Sequence, residues 1–248
     1  MRIFIITKEK NRKIIILLMM LVFSLFFDIY TAFSLPSGDI SVISNSTSFF
    51  AGYNQSNSSA LGGTITTLIF NVSEQTMKWK AYVGNISGSL SLRSSNDFVL
   101  YDWPLTVSSG EIYASRSDAI NWSSLICSDE TIISNEEAVL GLDTTAVDSI
   151  NRTFNTSVHK SFYVAGNNIT NSSCRAISTN VNNSAQSFSE EALFQEVLLS
   201  DGFNLVYASI LESKVVGYNN QTFDFQMIVA DTETSETITS YYFYIELG

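Results

Sequence analysis

From Thr64 onward, short segments in which apolar and polar residues alternate recur along the chain. Each segment is rich in β-branched and aromatic residues and ends at a cluster of Gly, Ser, Asn or Asp. This spacing is typical of antiparallel strands joined by tight turns. The pattern predicts a mainly β fold, and within that class an antiparallel β-sandwich of the Greek-key or immunoglobulin-like kind.

Two pairs of these segments have the spacing of β-hairpins. Residues 89–93 and 98–103 flank four turn-forming residues, and residues 194–199 and 205–211 flank a turn-forming sequence that contains Gly202. Short polar connections of this composition favour hairpins in which neighbouring segments pair. We therefore expect two hairpins at these positions.

The last two alternating segments, residues 222–229 and 241–247, predict a late hairpin around the polar stretch 231–239. Alternation gives each segment one apolar face, formed by Phe223, Phe225, Met227 and Val229 in the first and by Tyr241, Phe243, Ile245 and Leu247 in the second. The same reasoning gives a strand at 77–83 a buried face of Met77, Trp79, Ala81 and Val83. Three tyrosines then face away from the core and are predicted contacts with another surface: Tyr82, Tyr242 and Tyr244.

One region does not show the alternation of apolar and polar residues that is typical of strands. Residues 134–140 begin with polar and acidic side chains, as helices do, and residues 145–154 have the pattern of a second short helical turn. Both lie between Cys127 and Cys174, the two cysteines of the chain. Cysteines in an oxidising compartment are expected to pair, so we expect a disulfide that ties a partly helical insertion at about 127–174.

The first 34 residues have the composition of an export signal. Five basic residues precede an apolar run over residues 14–27, which is shorter than the roughly 20 residues that cross a membrane. We expect a signal helix that is cleaved after Ser34, with an uncleaved signal anchor as the alternative. In either case residues 35–248 lie outside the cell, and they are predicted to form one domain.

Asn-X-Ser/Thr acceptor sites for N-glycosylation are more frequent than the composition explains. Twelve of the twenty Asn residues have Ser or Thr two places later, whereas random order gives about five. In an exported chain this excess predicts a glycoprotein whose acceptor residues are exposed. The acceptor residues are Asn45, Asn54, Asn57, Asn71, Asn85, Asn121, Asn151, Asn155, Asn168, Asn171, Asn182 and Asn220.

Charge and residue counts exclude several classes of protein. With 24 acidic and 13 basic residues the net charge is −11, which argues against nucleic-acid binding. One His and two Cys argue against a multi-ligand His/Cys metal site. His159 is expected in a solvated loop, and the pairs Glu136–Glu137 and Glu190–Glu191 at solvated helix starts. No cofactor is expected, although loop Asp and Asn oxygens could hold a structural calcium ion.

Three strand-like segments, residues 79–88, 196–207 and 222–229, together with residues 241–247, resemble a group of uncharacterised exported archaeal surface proteins that are β-rich and sequon-rich. The resemblance covers most of residues 77–247 and includes no catalytic motif. It implies an archaeal cell-surface setting and a β-sandwich fold, and it assigns no site residues.

These patterns together indicate a non-enzymatic glycosylated cell-surface protein, an envelope, adhesive or filament subunit. Its expected partners are further copies of itself, other surface proteins or glycans, with membrane contact only through an uncleaved signal. A secreted carbohydrate-binding module that stacks sugars on exposed aromatic rings is one alternative. A secreted glycoside hydrolase that uses two carboxylates is another, since the 22 acidic residues outside the predicted signal leave that chemistry open.

Overall fold

The computed structural model of the protein describes residues 75–104, 109–232 and 239–247, together with scattered positions between residues 35 and 67. The predicted signal at residues 1–34 and three of the acceptor asparagines, Asn54, Asn57 and Asn71, lie outside the described residues.

The described residues form fourteen strands in antiparallel sheets and two helices, so the prediction of a mainly β fold is confirmed. The helices are α1 (Glu130–Leu140) and α2 (Ile150–Thr153), and a 3-10 turn spans Trp122–Ser124. The strands are β1 (Trp79–Gly84), β2 (Ser89–Arg93), β3 (Val99–Pro104), β4 (Gly110–Ser115), β5 (Ile126–Cys127), β6 (Phe162–Val164), β7 (Asn167–Ile169), β8 (Ala176–Ser178), β9 (Gln195–Ser200), β10 (Leu205–Ile210), β11 (Val215–Val216), β12 (Thr222–Phe223), β13 (Phe225–Ala230) and β14 (Tyr242–Leu247).

A six-stranded sheet forms the centre, with strand order β14-β4-β10-β9 and with β5 and β8 both paired to β9. β9 and β10 form the predicted hairpin, in which Leu205 pairs with Ser200 and Ser209 with Glu196. Its turn is set by Asp201, whose carboxylate accepts hydrogen bonds from the backbone N–H groups of Phe203 and Asn204. Short connections with such side-chain contacts fix the register of the two strands.

Every residue of β4, β9 and β10 is buried, so the central sheet is covered on both faces. On one face Ile112, Leu198 and Tyr207 pack with residues of β13, α1 and α2. On the other face Tyr113, Val197 and Val206 pack with residues of β6, β7 and the chain near the disulfide. The described residues therefore form two apolar clusters, one on each side of one sheet.

The predicted late hairpin is wrong. β13 pairs with β1, with Trp79 opposite Ala230, and β14 pairs with β4, with Leu247 opposite Gly110. The polar stretch between β13 and β14 is too long to fix a register as a tight turn does, so each strand pairs with a strand that is distant in sequence. The predicted apolar faces of these two strands are nevertheless correct, since Met227 and Phe243 pack into the first cluster.

The predicted buried face of β1 is wrong for most of its residues. Trp79 is half-buried and its indole N–H donates to the Asp148 carbonyl at 2.8 Å, but Ala81 and Val83 are exposed. Lys80 is half-buried instead, because its ammonium pairs with Asp231 at 2.8 Å. A paired charge lets the aliphatic part of a lysine cover apolar surface.

Helix α1 begins four residues before the predicted start. The Asp129 side chain caps it by accepting from the Ile132 N–H at 2.9 Å, and Gly141, at φ 71°, ends it in the left-handed conformation. Glu136 and Glu137 are therefore buried in the helix interior rather than solvated at its start. The Arg116 guanidinium binds Glu136 with two hydrogen bonds of 2.6 Å, and Glu137 accepts from the Asn151 N–H at 2.9 Å.

Cys127 and Cys174 form a disulfide, in agreement with the predicted pairing, and their Cα atoms are 4.9 Å apart. β5 ends at Cys127 and β8 begins shortly after Cys174, and both strands lie on the same edge of β9. The segment between the cysteines contributes both helices to one face of the sheet and the β6–β7 hairpin to the other. What the sequence indicates as an insertion is thus part of both cores.

Candidate functional site

Strands β2 and β3 form a two-stranded ribbon, which confirms the first predicted hairpin. At its tip the Ser94 N–H donates to the Phe98 carbonyl at 2.9 Å, and Arg93 binds the Asp97 carboxylate at 3.0 Å. Among the described residues no other strand pairs with β2 or β3, so each strand has one outer edge without a β partner. Outer edges of this kind are accessible to another chain.

One face of this ribbon is apolar and exposed. Leu90 lies opposite Trp103 and Leu92 opposite Tyr101, and directly opposite residues share a face of the sheet. Their exposed fractions are 60% and 50%, and 52% and 58%, respectively. The Tyr101 and Trp103 rings contact each other edge to face, with centroids 4.8 Å apart.

We name these four side chains the ribbon face. None of them belongs to either apolar cluster of the described residues. The largest exposed apolar patch of a monomer is typically about 300 to 600 Å² and often has a function, and larger patches mark contact sites. The alternation of 89–93 and 98–103 predicts the strands, but alternation alone does not say whether an apolar face is covered, so the sequence did not identify this surface.

Two of the three tyrosines predicted to face outward do not. Tyr82 packs edge to face on Phe243 with ring centroids 4.9 Å apart, and Tyr244 packs on Trp122 at 4.8 Å, so both are half-buried. Tyr242 is exposed. The physical reason differs between the two strands: Tyr82 lies with Lys80 on the covered face of β1, whereas β14, which carries Tyr244, is partly covered on both faces.

The acceptor asparagines of the described residues lie mostly at the surface. Asn151, at the half-buried second position of α2, is the exception. The exposed members are Asn45, Asn85, Asn121, Asn155, Asn168, Asn171, Asn182 and Asn220.

Two carboxyl groups lie side by side inside the protein. Glu111 of β4 pairs directly with Glu246 of β14, and both residues are buried. The hydroxyl of Tyr113 donates to Glu246 at 3.1 Å, and the Ala165 N–H donates to both oxygens of Glu246. Burial, and next the adjacent Glu246, raises the pKa of Glu111 to about 8. The geometry favours an un-ionised Glu111 beside Glu246 at neutral pH.

A third buried carboxyl group, that of Glu196, joins two layers. One oxygen accepts from the Ile228 N–H at 2.9 Å, so the side chain connects the central sheet to β13. The other oxygen has no hydrogen-bond partner among the described residues, and burial raises the pKa of this carboxyl group. Nearby, the Ser209 hydroxyl donates to the Gln226 carbonyl at 2.9 Å, which makes a second polar link between the same layers.

His159 is buried, so the prediction of a solvated loop histidine is wrong. Its Nε2 accepts from the backbone N–H groups of Ser173 and Cys174 at 3.1 and 3.0 Å, and Nδ1 lies 2.8 Å from the Lys160 carbonyl. These contacts require a neutral imidazole with its proton on Nδ1. Burial lowers the pKa of His159, in agreement with that state. The ring organises the loop that precedes Cys174.

We expect His159→Ala to lower the free energy of unfolding by about 2 kcal/mol at pH 7, because two backbone donors lose their acceptor. A histidine with a lowered pKa stabilises the fold above its unfolded pKa and loses that contribution as pH falls. The difference between wild type and variant, measured by urea unfolding, should therefore shrink between pH 7 and pH 5. A difference that is independent of pH would contradict this assignment.

Among the described residues no group of three or more His, Cys, Asp or Glu side chains could hold a metal ion. Within the same part of the chain, no helix has both the length and the apolar character needed to span a membrane.

Comparison of the chain with models of known families, with curated proteins and with solved structures finds no match.

Proposed function

We propose that the chain is a non-enzymatic, glycosylated cell-surface protein, a structural or adhesive subunit built on an antiparallel β-sandwich. The observation that carries the proposal is the exposure of eight of the nine acceptor asparagines that the structure describes. An oligosaccharide needs a solvent-exposed asparagine, and twelve acceptor sites are more than the composition explains.

The layering of the core supports the sandwich part of this proposal. The antiparallel pair β1–β13 covers one face of the central sheet, and Met227 and Val229 contribute fully buried side chains there. Two antiparallel layers of strands with an apolar core between them are the defining feature of a sandwich. The disulfide suits an extracellular setting, because such bonds persist in oxidising compartments.

The buried polar groups support a structural role. His159, Glu196 and Glu246 each accept hydrogen bonds from backbone N–H groups of distant segments. Each therefore stabilises a particular arrangement of the backbone. Groups that are engaged in this way hold layers together, which is what a durable surface subunit requires.

The distribution of acceptor sites leaves one exposed region bare. Between Asn85 and Asn121 the chain has no acceptor site, and this interval contains the ribbon face. The other long interval, between Asn182 and Asn220, contains the buried strands β9 and β10. A glycan coat would thus surround the body and leave the ribbon face open to contact.

We expect peptide mapping of the protein from its native cell surface to find glycans at the eight exposed acceptor sites and a mature chain that starts at Leu35. Asn151 should be the least modified of the described sites, because it is half-buried and its backbone N–H is bonded to Glu137. Intact mass before and after glycan removal gives the total occupancy. A protein recovered without glycans would overturn the proposal.

A further inference from the structure

We propose that the ribbon face is a homophilic contact, at which the β2–β3 ribbons of two copies of this chain stack face to face. This inference rests on the proposed function in one respect, since subunits of a surface layer must contact one another. It assigns the partner, a second copy, and the side chains that make the contact: Leu90, Leu92, Tyr101 and Trp103.

The two strands give the ribbon face two chemically different rows. The β2 row is aliphatic, with Leu90 and Leu92, and the β3 row is aromatic, with Tyr101 and Trp103. A two-fold axis that runs parallel to the strands, between two stacked ribbons, places β2 of each copy over β3 of the other. The aliphatic row of each copy then covers the aromatic row of the other, so the same contact forms twice. This is the self-complementarity that a two-fold contact requires.

The exposed area suits a specific but reversible contact. If a fully exposed apolar side chain offers roughly 200 Å², the four exposed fractions amount to on the order of 400 Å² of apolar surface per copy. Apolar atoms make up about 57% of a typical interface, so the whole contact would bury about 700 Å² per copy. Stable dimers bury about 800 Å² per partner, and the predicted contact therefore lies just below that size.

Charge is compatible with this stacking. The ribbon face has no ionisable group except the Tyr101 hydroxyl, and the nearby Arg93 is already paired with Asp97. The two copies would meet without burying a carboxylate, although the net charge of −11 makes whole molecules repel each other. Added salt screens that repulsion, so the association should strengthen as salt increases.

The same surface fits a sugar or a membrane less well. A sugar presents hydroxyl groups that need hydrogen-bond partners, and Leu90 and Leu92 occupy half of the ribbon face with none. An anionic membrane needs unpaired basic residues, whereas Arg93 is bonded to Asp97. A second copy of the ribbon face covers all four side chains with apolar atoms.

The decisive comparison is between two exposed leucines of the same ribbon, one on the ribbon face and one outside it. Leu92→Glu places a carboxylate on the ribbon face. Leu100→Glu makes the same change where the register of β2 and β3 shifts, at a side chain that is 79% exposed and has no direct cross-strand partner among the described residues. Neither leucine belongs to an apolar cluster of the described residues, so both variants should fold. Circular dichroism and thermal unfolding of each variant check the fold.

We expect sedimentation equilibrium of the purified protein, expressed as the full chain, to show a monomer–dimer equilibrium that strengthens with sodium chloride. Leu92→Glu should weaken dimerisation more than about 100-fold, and Leu100→Glu should leave it within about threefold of wild type. A wild type that stays monomeric at every salt concentration, or a Leu92→Glu variant that dimerises like wild type, would overturn the inference.

Sugar binding is tested with the same proteins. Binding of wild-type monomer to a glycan array, lost in Trp103→Ala, would show that the ribbon face takes a carbohydrate and would also overturn the homophilic contact.

The proposed function is tested separately by the peptide mapping described above. An exported glycoprotein that remains monomeric refutes the contact alone, whereas a protein without glycans refutes the proposed function.

Discussion

We expect the double replacement of Cys127 and Cys174 by alanine to lower the free energy of unfolding by about 4 kcal/mol. The sequence separation of the two cysteines is 47, and the chain-entropy model assigns a loop of that length about this much stabilisation through the unfolded state. For a domain whose stability is about 5 to 15 kcal/mol in total, the loss is a large fraction.

The position of the bond adds a local effect to this global one. β5 has two residues and β8 has three, and both rely on the same edge of β9. On that edge the Ser128 N–H donates to the Leu198 carbonyl, and the Leu198 N–H donates to the Arg175 carbonyl. Without the disulfide these bonds should open more often, so the Ser128 and Leu198 amides should exchange their hydrogens faster.

Urea unfolding of the wild type, of the wild type in reductant and of Cys127→Ala/Cys174→Ala separates the contribution of the crosslink from that of packing. Cys174 is buried, so its replacement also removes packing atoms. The reduced wild type should show most of the loss, and the double variant slightly more. A reduced wild type within about 1 kcal/mol of the oxidised protein would contradict the prediction.

The sequence predicts a hairpin correctly where a short turn determines the pairing. The β2–β3 and β9–β10 pairs have brief polar turns, and both form. β14 pairs instead with β4, whose Tyr113 is separated from Glu246 by 133 positions. No local pattern specifies a partner at that distance, because the pairing depends on the apolar faces of the whole sheet.

Alternation predicts which side chains share a face better than it predicts which face is covered. It correctly groups Phe243 with Ile245, and Met227 with Val229. It fails to predict that the ribbon face stays open while Tyr82 and Tyr244 are partly covered. Coverage depends on what other segments bring to that face, and this information is spread over the whole chain.

Buried polar residues were the least predictable part. His159 is surrounded by polar residues in sequence, and its acceptor role depends on the loop that ends at Cys174. Local sequence places Glu136 at the start of a helix, but the helix begins earlier, where Asp129 caps it, and Glu136 binds Arg116. For both residues the hydrogen-bond partner lies on another segment of the chain. Residue type and local spacing alone therefore favour a solvated position for His159 and Glu136.

The buried pair Glu111 and Glu246 leads to the second large effect, a dependence of stability on pH from which Glu111→Gln should remove the contribution of Glu111. In the folded protein burial, and next Glu246, raises the pKa of Glu111 from 4.5 to about 8. The folded state therefore binds a proton more tightly than the unfolded state does. Its stabilising contribution is complete below the unfolded pKa and is lost as pH rises through about 8.

Some neighbouring groups add to this loss of stability with rising pH, and others oppose it. Burial also raises the pKa of Glu246, which adds to the loss of stability with rising pH. The positive charge of Lys160 opposes it at Glu111, although its ammonium is bonded to Glu212 at 3.1 Å. Because the direct cross-strand neighbour of Glu111 is another carboxyl group, ionising Glu111 places two negative charges side by side in a buried site.

We expect the free energy of unfolding of the wild type to fall by on the order of 4 kcal/mol between pH 5 and pH 8 because of Glu111, and the Glu111→Gln variant to lack most of that fall. Glutamine keeps the shape of the protonated acid and cannot ionise. The variant should therefore be similar in stability to the wild type at pH 5 and more stable at pH 8.

Glu191→Gln is the matched control, because it makes the same substitution at an exposed carboxylate. It should reproduce the wild-type dependence on pH in urea unfolding from pH 5 to pH 8, so that any flattening in Glu111→Gln is specific to the buried pair. If Glu111→Gln and Glu191→Gln follow parallel curves, Glu111 is ionised in the folded protein at neutral pH, which would contradict the prediction. If the stability of Glu111→Gln alone falls less with rising pH, the fold keeps the carboxyl group of Glu111 neutral at the position where β4 pairs with β14.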